Sequence, residues 1–266
     1  MAAHCYFPDE PDMEFVECDT FEQLFSAMQA DQQLIALVAI ENTIAGSLLH
    51  NYELLRDSGL QIVGEHKLRI RHNLMCLPTD TIDDIREIRS HPVALMQCRR
   101  YLNQYPHIKV VEADDTANAA RLISQNQLHG IAAIASAAAA DIYGMKILDE
   151  SIETNKHNFT RFMVLAHPGQ ASQFTAHSQP DKASIVFSLE HSEGSLSQVL
   201  SIFSFYHINL TKIQSLPIIG HEWEYLFYVD MMYADHTRFL QSIDAVRPLT
   251  SQLQLLGEYR DGQSTI

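Results

Sequence analysis

The chain has 266 residues, 46% apolar and 19% charged, which is enough for two domains with packed cores. Its formal net charge of −15 argues against a nucleic-acid partner or an anionic membrane surface, both of which take basic stripes. An anionic ligand has to be met by local donors, because the global field repels it.

No apolar run approaches the roughly 20 residues of a membrane span. The first ten residues carry neither a basic region nor an apolar core, so no export signal is read there. Cys5, Cys18, Cys76 and Cys98 have spacings that fit no zinc pattern. Reduced buried thiols, no metal, no cofactor and a cytoplasmic setting are the expectations.

In chain order, helical patterns over 20–30, 46–56, 92–104, 116–125 and 136–143 alternate with apolar runs. The runs cover 34–40, 62–77, 107–112, 130–134 and 162–166. Alternation of this kind predicts an α/β sheet with parallel strands. The run over 62–77 is too long for one ordinary strand and reads as a crossing between two lobes. Within it Lys67, Arg69, Arg71 and Asn73 share one face, and His72 travels with the apolar other face, as a packed, hydrogen-bonded histidine. Residues 167–182, rich in polar residues with two prolines, read as a linker. Beyond it, strands over 183–189, 208–216, 222–232 and 251–257 and helices over 194–206 and 234–246 give the order βαββαβ, the ferredoxin-like arrangement.

The segment with most chemical content is Asn158-Phe159-Thr160-Arg161-Phe162. A hydroxyl and a guanidinium stand side by side where a loop enters a strand, a place where rigid backbone holds loop residues for chemistry. Four segments accompany it upstream: Ile40-Glu41-Asn42-Thr43-Ile44-Ala45-Gly46-Ser47, His72-Asn73-Leu74, Ser90-His91-Pro92-Val93-Ala94-Leu95-Met96-Gln97-Cys98, and Asp115-Thr116-Ala117. In this combination and order the chain resembles the prephenate dehydratase family. Residues 10–166 match its catalytic domain and 183–258 its ACT regulatory domain.

The resemblance implies two α/β lobes around a cleft over 1–166, a linker over 167–182 and a ferredoxin-like ACT domain over 183–266. It implies loss of water and carbon dioxide from prephenate to give phenylpyruvate, in L-phenylalanine biosynthesis. Thr160 matches the family's threonine and is expected to donate a hydrogen bond to the departing hydroxyl. Arg161 is expected to fix a carboxylate or brace the loop, and Asn158 to orient either partner. Substrate contacts are also expected from Asn42 and Thr43 at a strand-to-helix turn, where Gly46 permits close backbone approach, and from Ser90. Gln97 lies about two helical turns beyond Ser90 on the same face, so both can border one cleft. Asp115 is read as a plain N-cap, since a carboxylate repels this substrate.

For the C-terminal domain the resemblance implies L-phenylalanine as effector, held by Gly194, Ser195 and Leu196 at a helix start and by Asn209 and Leu210 on the facing strand. A homodimer or homotetramer is expected. Two departures stand out. The family's first strand and Gly-rich loop, which would precede Ala2-Ala3-His4-Cys5, are missing, and the family's Glu-Ser-Arg-Pro reads Gln214-Ser215-Leu216-Pro217. Arogenate dehydratase and a non-catalytic small-molecule-binding regulatory protein remain open alternatives.

Overall fold

The computed structural model describes every residue except 11, 176–178, 219, 221, 222, 263 and 266. Helices α1 (Ala2–Tyr6) and α2 (Phe21–Ala30) precede β1 (Ala36–Asn42), β2 (Gly46–Ser47), α3 (Leu49–Ser58) and β3 (Gln61–Arg69). The chain continues through β4 (Asn73–Cys76), β5 (Glu87–Ser90), α4 (Pro92–Gln97), α5 (Arg99–Leu102) and β6 (Lys109–Glu112). Next come α6 (Thr116–Gln125), β7 (Ile131–Ala135), α7 (Ala137–Tyr143) and β8 (Lys146–Asp149). It returns in β9 (Phe159–Ala166) and α8 (Pro168–Thr175). The remainder is β10 (Lys182–Ser188), α9 (Ser195–Phe205), β11 (Asn209–Pro217), β12 (Tyr225–Met232), α10 (His236–Val246), β13 (Gln252–Tyr259) and β14 (Ser264–Thr265).

These strands form three sheets, ordered β14-β3-β9-β1-β2, β6-β5-β7-β4-β8 and β11-β12-β10-β13. The long extended run is divided as expected: β3 lies in the first sheet, β4 in the second, and 70–72 cross between them. The expectation of parallel strands is corrected. Among the described residues only β5–β6, β5–β7 and β14–β3 pair in parallel. β9 runs antiparallel to both β1 and β3, because the chain comes back from the second sheet in the opposite direction. The expected linker over 167–182 is corrected too. It contains α8, whose Ala171 and Phe174 pack on Val63, Val164 and Ala166 of the first sheet.

The third sheet has two buried faces. Ile185, Phe187, Val229 and Met231 pack on α9 and α10 through Phe203 and Phe239. Val186, Leu226, Tyr228, Leu256 and Tyr259 pack on Val38, Ile40, Ile62, Met163 and Leu165 of the first sheet. Close approach of the two sheets requires Gly257, where a Cβ would lie 2.1 Å from the Ile62 carbonyl oxygen. No described helix is long and apolar enough to cross a membrane.

Beside this apolar contact lies a buried ionic cluster. Arg161 Nε donates to Glu65 Oε2 at 2.6 Å, Nη1 to Asp230 Oδ2 at 2.5 Å, and Nη2 to the Tyr259 hydroxyl at 3.2 Å. Lys182 Nζ donates to Glu65 Oε1 at 2.7 Å and to Asp261 Oδ1 at 2.8 Å. Burial disfavours the Arg161 charge, but Asp230, the Tyr259 oxygen and Glu65 outweigh it and hold the guanidinium protonated. Removing one partner of such a pair leaves its counter-charge uncompensated. Asp230→Ala is therefore expected to lower stability by about 3–5 kcal/mol, read as a fall in the urea midpoint.

Candidate active site

Strand pairing sets the site. Asn42 on β1 stands opposite Thr160 on β9, and Glu41 stands opposite Arg161. Opposed residues of an antiparallel pair share a face and successive residues alternate. Asn42 and Thr160 therefore point one way, and Glu41 and Arg161 the other, into the ionic cluster.

The Asn42 side chain is pinned by main chain. Its Oδ1 accepts from the N–H groups of Ile44 at 3.0 Å and Ala45 at 2.9 Å. The turn that brings them there uses Gly46 at φ +87°, a conformation glycine adopts without strain. Asn42 Nδ2 faces three acceptors: Asn158 Oδ1 at 2.9 Å, the Phe159 carbonyl at 3.2 Å and Thr160 Oγ1 at 3.1 Å. The Thr160 oxygen thus receives a hydrogen bond from inside the protein, and its own proton is left to point elsewhere.

The amide chain continues away from Thr160. Asn158, fully buried, donates through Nδ2 to Gln97 Oε1 at 2.9 Å. The same Gln97 oxygen lies 2.7 Å from His72 Nε2. His72 is buried and hydrogen-bonded. Its main-chain N–H donates to Glu153 Oε2 at 2.9 Å. Glu153, 1% exposed, was not singled out from the sequence. It sits in the loop before the Asn158 segment, where no periodicity marks a buried position.

The structure distributes the expected substrate contacts unevenly. Asn42, Asn158, Thr160 and Gln97 are brought together. Thr43 is exposed, and its hydroxyl pins the loop, donating to the His157 carbonyl at 3.1 Å and accepting from the Phe159 N–H at 2.9 Å. Ser90 is fully buried on β5, not at the helix start, where His91 is the N-cap instead; its hydroxyl donates to the Ile134 carbonyl at 2.6 Å. Arg161 is held on the opposite face by carboxylates, so the expectation that it binds a substrate carboxylate is corrected to a brace between sheets. Cys98 is fully buried in the core beside the second sheet, where burial pushes its thiol up to about 12. Cys76 is buried too, whereas the expectation of buried thiols is corrected at Cys5, which is exposed, and Cys18, which is half-buried.

In the C-terminal part, Gly194 is the left-handed N-cap of α9 and Ser195 and Leu196 open that helix. Asn209 and Leu210 follow its other end, at the start of β11. Nine helical residues, 197–205, lie between the two groups, a rise of about 14 Å, so one chain does not bring them together. Leu216 is buried in the core shared with the first sheet.

An α/β chain with a hydroxyl, amides and an imidazole converging beside a strand start defines an enzyme-type site. The family model for prephenate dehydratase matches residues 1–170. The chain belongs to the prephenate dehydratase family. A relative from Arabidopsis thaliana, arogenate dehydratase/prephenate dehydratase 2, chloroplastic, is 37% identical over 94% of this chain and 67% of the relative. Across it and a second Arabidopsis relative, arogenate dehydratase 5, the chain spans 67% and 62% of their lengths. Among solved structures, the prephenate dehydratase of Arthrobacter aurescens in complex with L-Phe has 25% identity and a TM-score of 0.82, over 97% of this chain and 86% of that one. GqqA, described as a novel type of quorum quenching acylase, has 28% identity and a TM-score of 0.84, over 96% of this chain and 92% of that one.

Proposed function

We propose that this chain is a prephenate dehydratase, converting prephenate to phenylpyruvate in L-phenylalanine biosynthesis, with no metal or cofactor taking part. The observation that carries the reading is the Thr160 hydroxyl, whose oxygen accepts from Asn42 and whose proton meets no acceptor among the described residues, leaving it for a ligand. In the reaction the C–C bond to the ring carboxylate breaks and its electrons enter the ring. Carbon dioxide leaves on one side and the ring hydroxyl on the other, taking up a proton from solvent to depart as water. Aromatisation supplies the driving force. A threonine is too weak an acid to transfer that proton outright, so Thr160 acts as a preorganised hydrogen-bond donor to the leaving oxygen. Asn42, Asn158 and Gln97 border the substrate and hold Thr160 in this orientation, while Thr43 fixes the loop.

Arogenate differs by an amino group in place of a keto group, away from the leaving hydroxyl, and the plant relatives carry its name. Product analysis with both substrates separates the two. An acylase reading, prompted by the GqqA likeness, finds less support. Among the described residues the hydrogen-bond partner of the Thr160 hydroxyl is an amide, whereas an acyl-transfer nucleophile takes a base.

Residues 1–166 are read as two lobes flanking the catalytic cleft, and 183–266 as a ferredoxin-like ACT regulatory domain binding L-phenylalanine. Support comes from the strand order β11-β12-β10-β13 and from the L-Phe complex of the Arthrobacter relative. Because Gly194–Leu196 and Asn209–Leu210 lie at opposite ends of α9, an effector site using both takes a second copy of the chain, which favours at least a homodimer. The reading is of a cytoplasmic enzyme.

Thr160→Ala is expected to lower kcat about 10²–10³-fold with little change in KM, the cost of one preorganised donor. Thr160→Ser should keep part of the activity. Wild-type turnover in folded Thr160→Ala would overturn the assignment. Isothermal calorimetry with L-phenylalanine is expected to register binding and a shift toward dimer or tetramer. No heat at millimolar ligand, with unaltered activity, would leave residues 183–266 a purely structural role.

A further inference from the structure

We infer that His72 is a positioning residue of this site. It donates from Nε2 to Gln97 Oε1 and so holds in place the carboxamide that accepts from Asn158, the far end of the amide chain whose near end, Asn42, faces Thr160. The kinetic part of the inference rests on the dehydratase reading; the structural part does not.

The polarity of a chain of side-chain amides follows from groups that cannot flip. Here one end is anchored in main chain. Asn42 Oδ1 lies against two N–H groups, those of Ile44 and Ala45, which only donate. Asn42 Nδ2 lies against the Phe159 carbonyl, which only accepts. Asn42 therefore has one orientation. Asn158 must turn its oxygen toward Asn42 and its nitrogen toward Gln97. Gln97 must then turn its oxygen toward Asn158. That oxygen also lies 2.7 Å from His72 Nε2, so His72 has to carry a proton on Nε2. With the proton on Nδ1 alone, two acceptors would face each other at that distance.

His72 is itself held for this task. Its N–H donates to the buried Glu153 carboxylate and its carbonyl accepts from the Ile152 N–H at 2.7 Å. The Gln97 carbonyl accepts from the Thr154 N–H at 2.8 Å. One loop, 152–154, thus grips both residues from the main-chain side. The bond they support joins the two sheets: Gln97 ends α4, against the second sheet, and Asn158 leads into β9 of the first. Without His72, Gln97 Oε1 keeps a single partner, Asn158 Nδ2. The carboxamide then loses the second of the two donors that hold it at the junction of the sheets, and its grip on Asn158 beside Thr160 loosens.

The first test is nitrogen NMR of protein labelled with 15N-histidine, the His72 signal identified by its loss in His72→Gln. A proton on Nε2 is expected; an unprotonated Nε2 overturns the inference. The second is kinetic. His72→Leu should lower kcat about tenfold, the net loss of one hydrogen bond, with KM changed by less than about twofold. His72→Gln, whose amide nitrogen can donate to Gln97, should regain most of that loss. Wild-type kcat in His72→Leu overturns the inference, and so do equal losses in the Leu and Gln variants, since packing alone would then explain them. If the wild type forms no product from either prephenate or arogenate, the dehydratase reading fails, and the nitrogen spectrum still decides the role of His72.

Discussion

Successive residues of a β-strand face opposite ways, and at the start of β9 that constraint has two consequences one peptide apart. Thr160 faces Asn42 and the amide chain. Arg161 faces Glu65, Asp230 and Tyr259. A slip of one residue in the β1–β9 register would exchange them, putting a guanidinium in the site and a hydroxyl among buried carboxylates. The buried ion pairs therefore fix the register on which the site depends, whatever their net contribution to stability.

The ionic cluster also explains how the third sheet sits on the first. Apolar contact through Tyr228, Leu256 and Tyr259 supplies area without direction. The charged groups supply direction: Lys182 and Asp230 belong to the third sheet, Glu65 and Arg161 to the first, and each has its partner across the boundary. Gly257 lets the backbones meet closely enough for those pairs to form. Any displacement of Asp230 is felt at Arg161, one residue from Thr160. This is a physical link between the proposed regulatory part and the proposed catalytic hydroxyl.

Much of this arrangement was legible in the sequence. The excess length of the run over 62–77 marked the crossing between sheets, since it is longer than one ordinary strand and holds both β3 and β4. The segments around Asn42, Gln97 and Thr160 were recognisable as a set. What was not legible depended on contacts between distant residues. Arg161 and Asp230 are 69 residues apart in the chain, so no local pattern says that this arginine is already paired. Ser90 was counted on one helix face with Gln97, but the strand extends through Ser90 and buries its hydroxyl against Ile134. The polar composition of 167–182 hid α8, whose few apolar residues suffice to dock one helix face. Strand direction was misjudged because alternating helices and strands predict parallel pairing only while the chain stays in one sheet.

The central claim is that Asn42 donates to Thr160 and so frees the threonine proton for the substrate. Asn42→Asp tests it most directly: the shape is kept, the main-chain contacts favour one carboxylate oxygen in place of Oδ1, and the other replaces the donor Nδ2. That oxygen would accept the Thr160 proton and withdraw it from the substrate. The account predicts that folded Asn42→Asp, checked by circular dichroism, loses kcat about 10²–10³-fold with prephenate, as loss of a preorganised donor does. A kcat within about threefold of wild type, well under 1 kcal/mol in barrier, would contradict it.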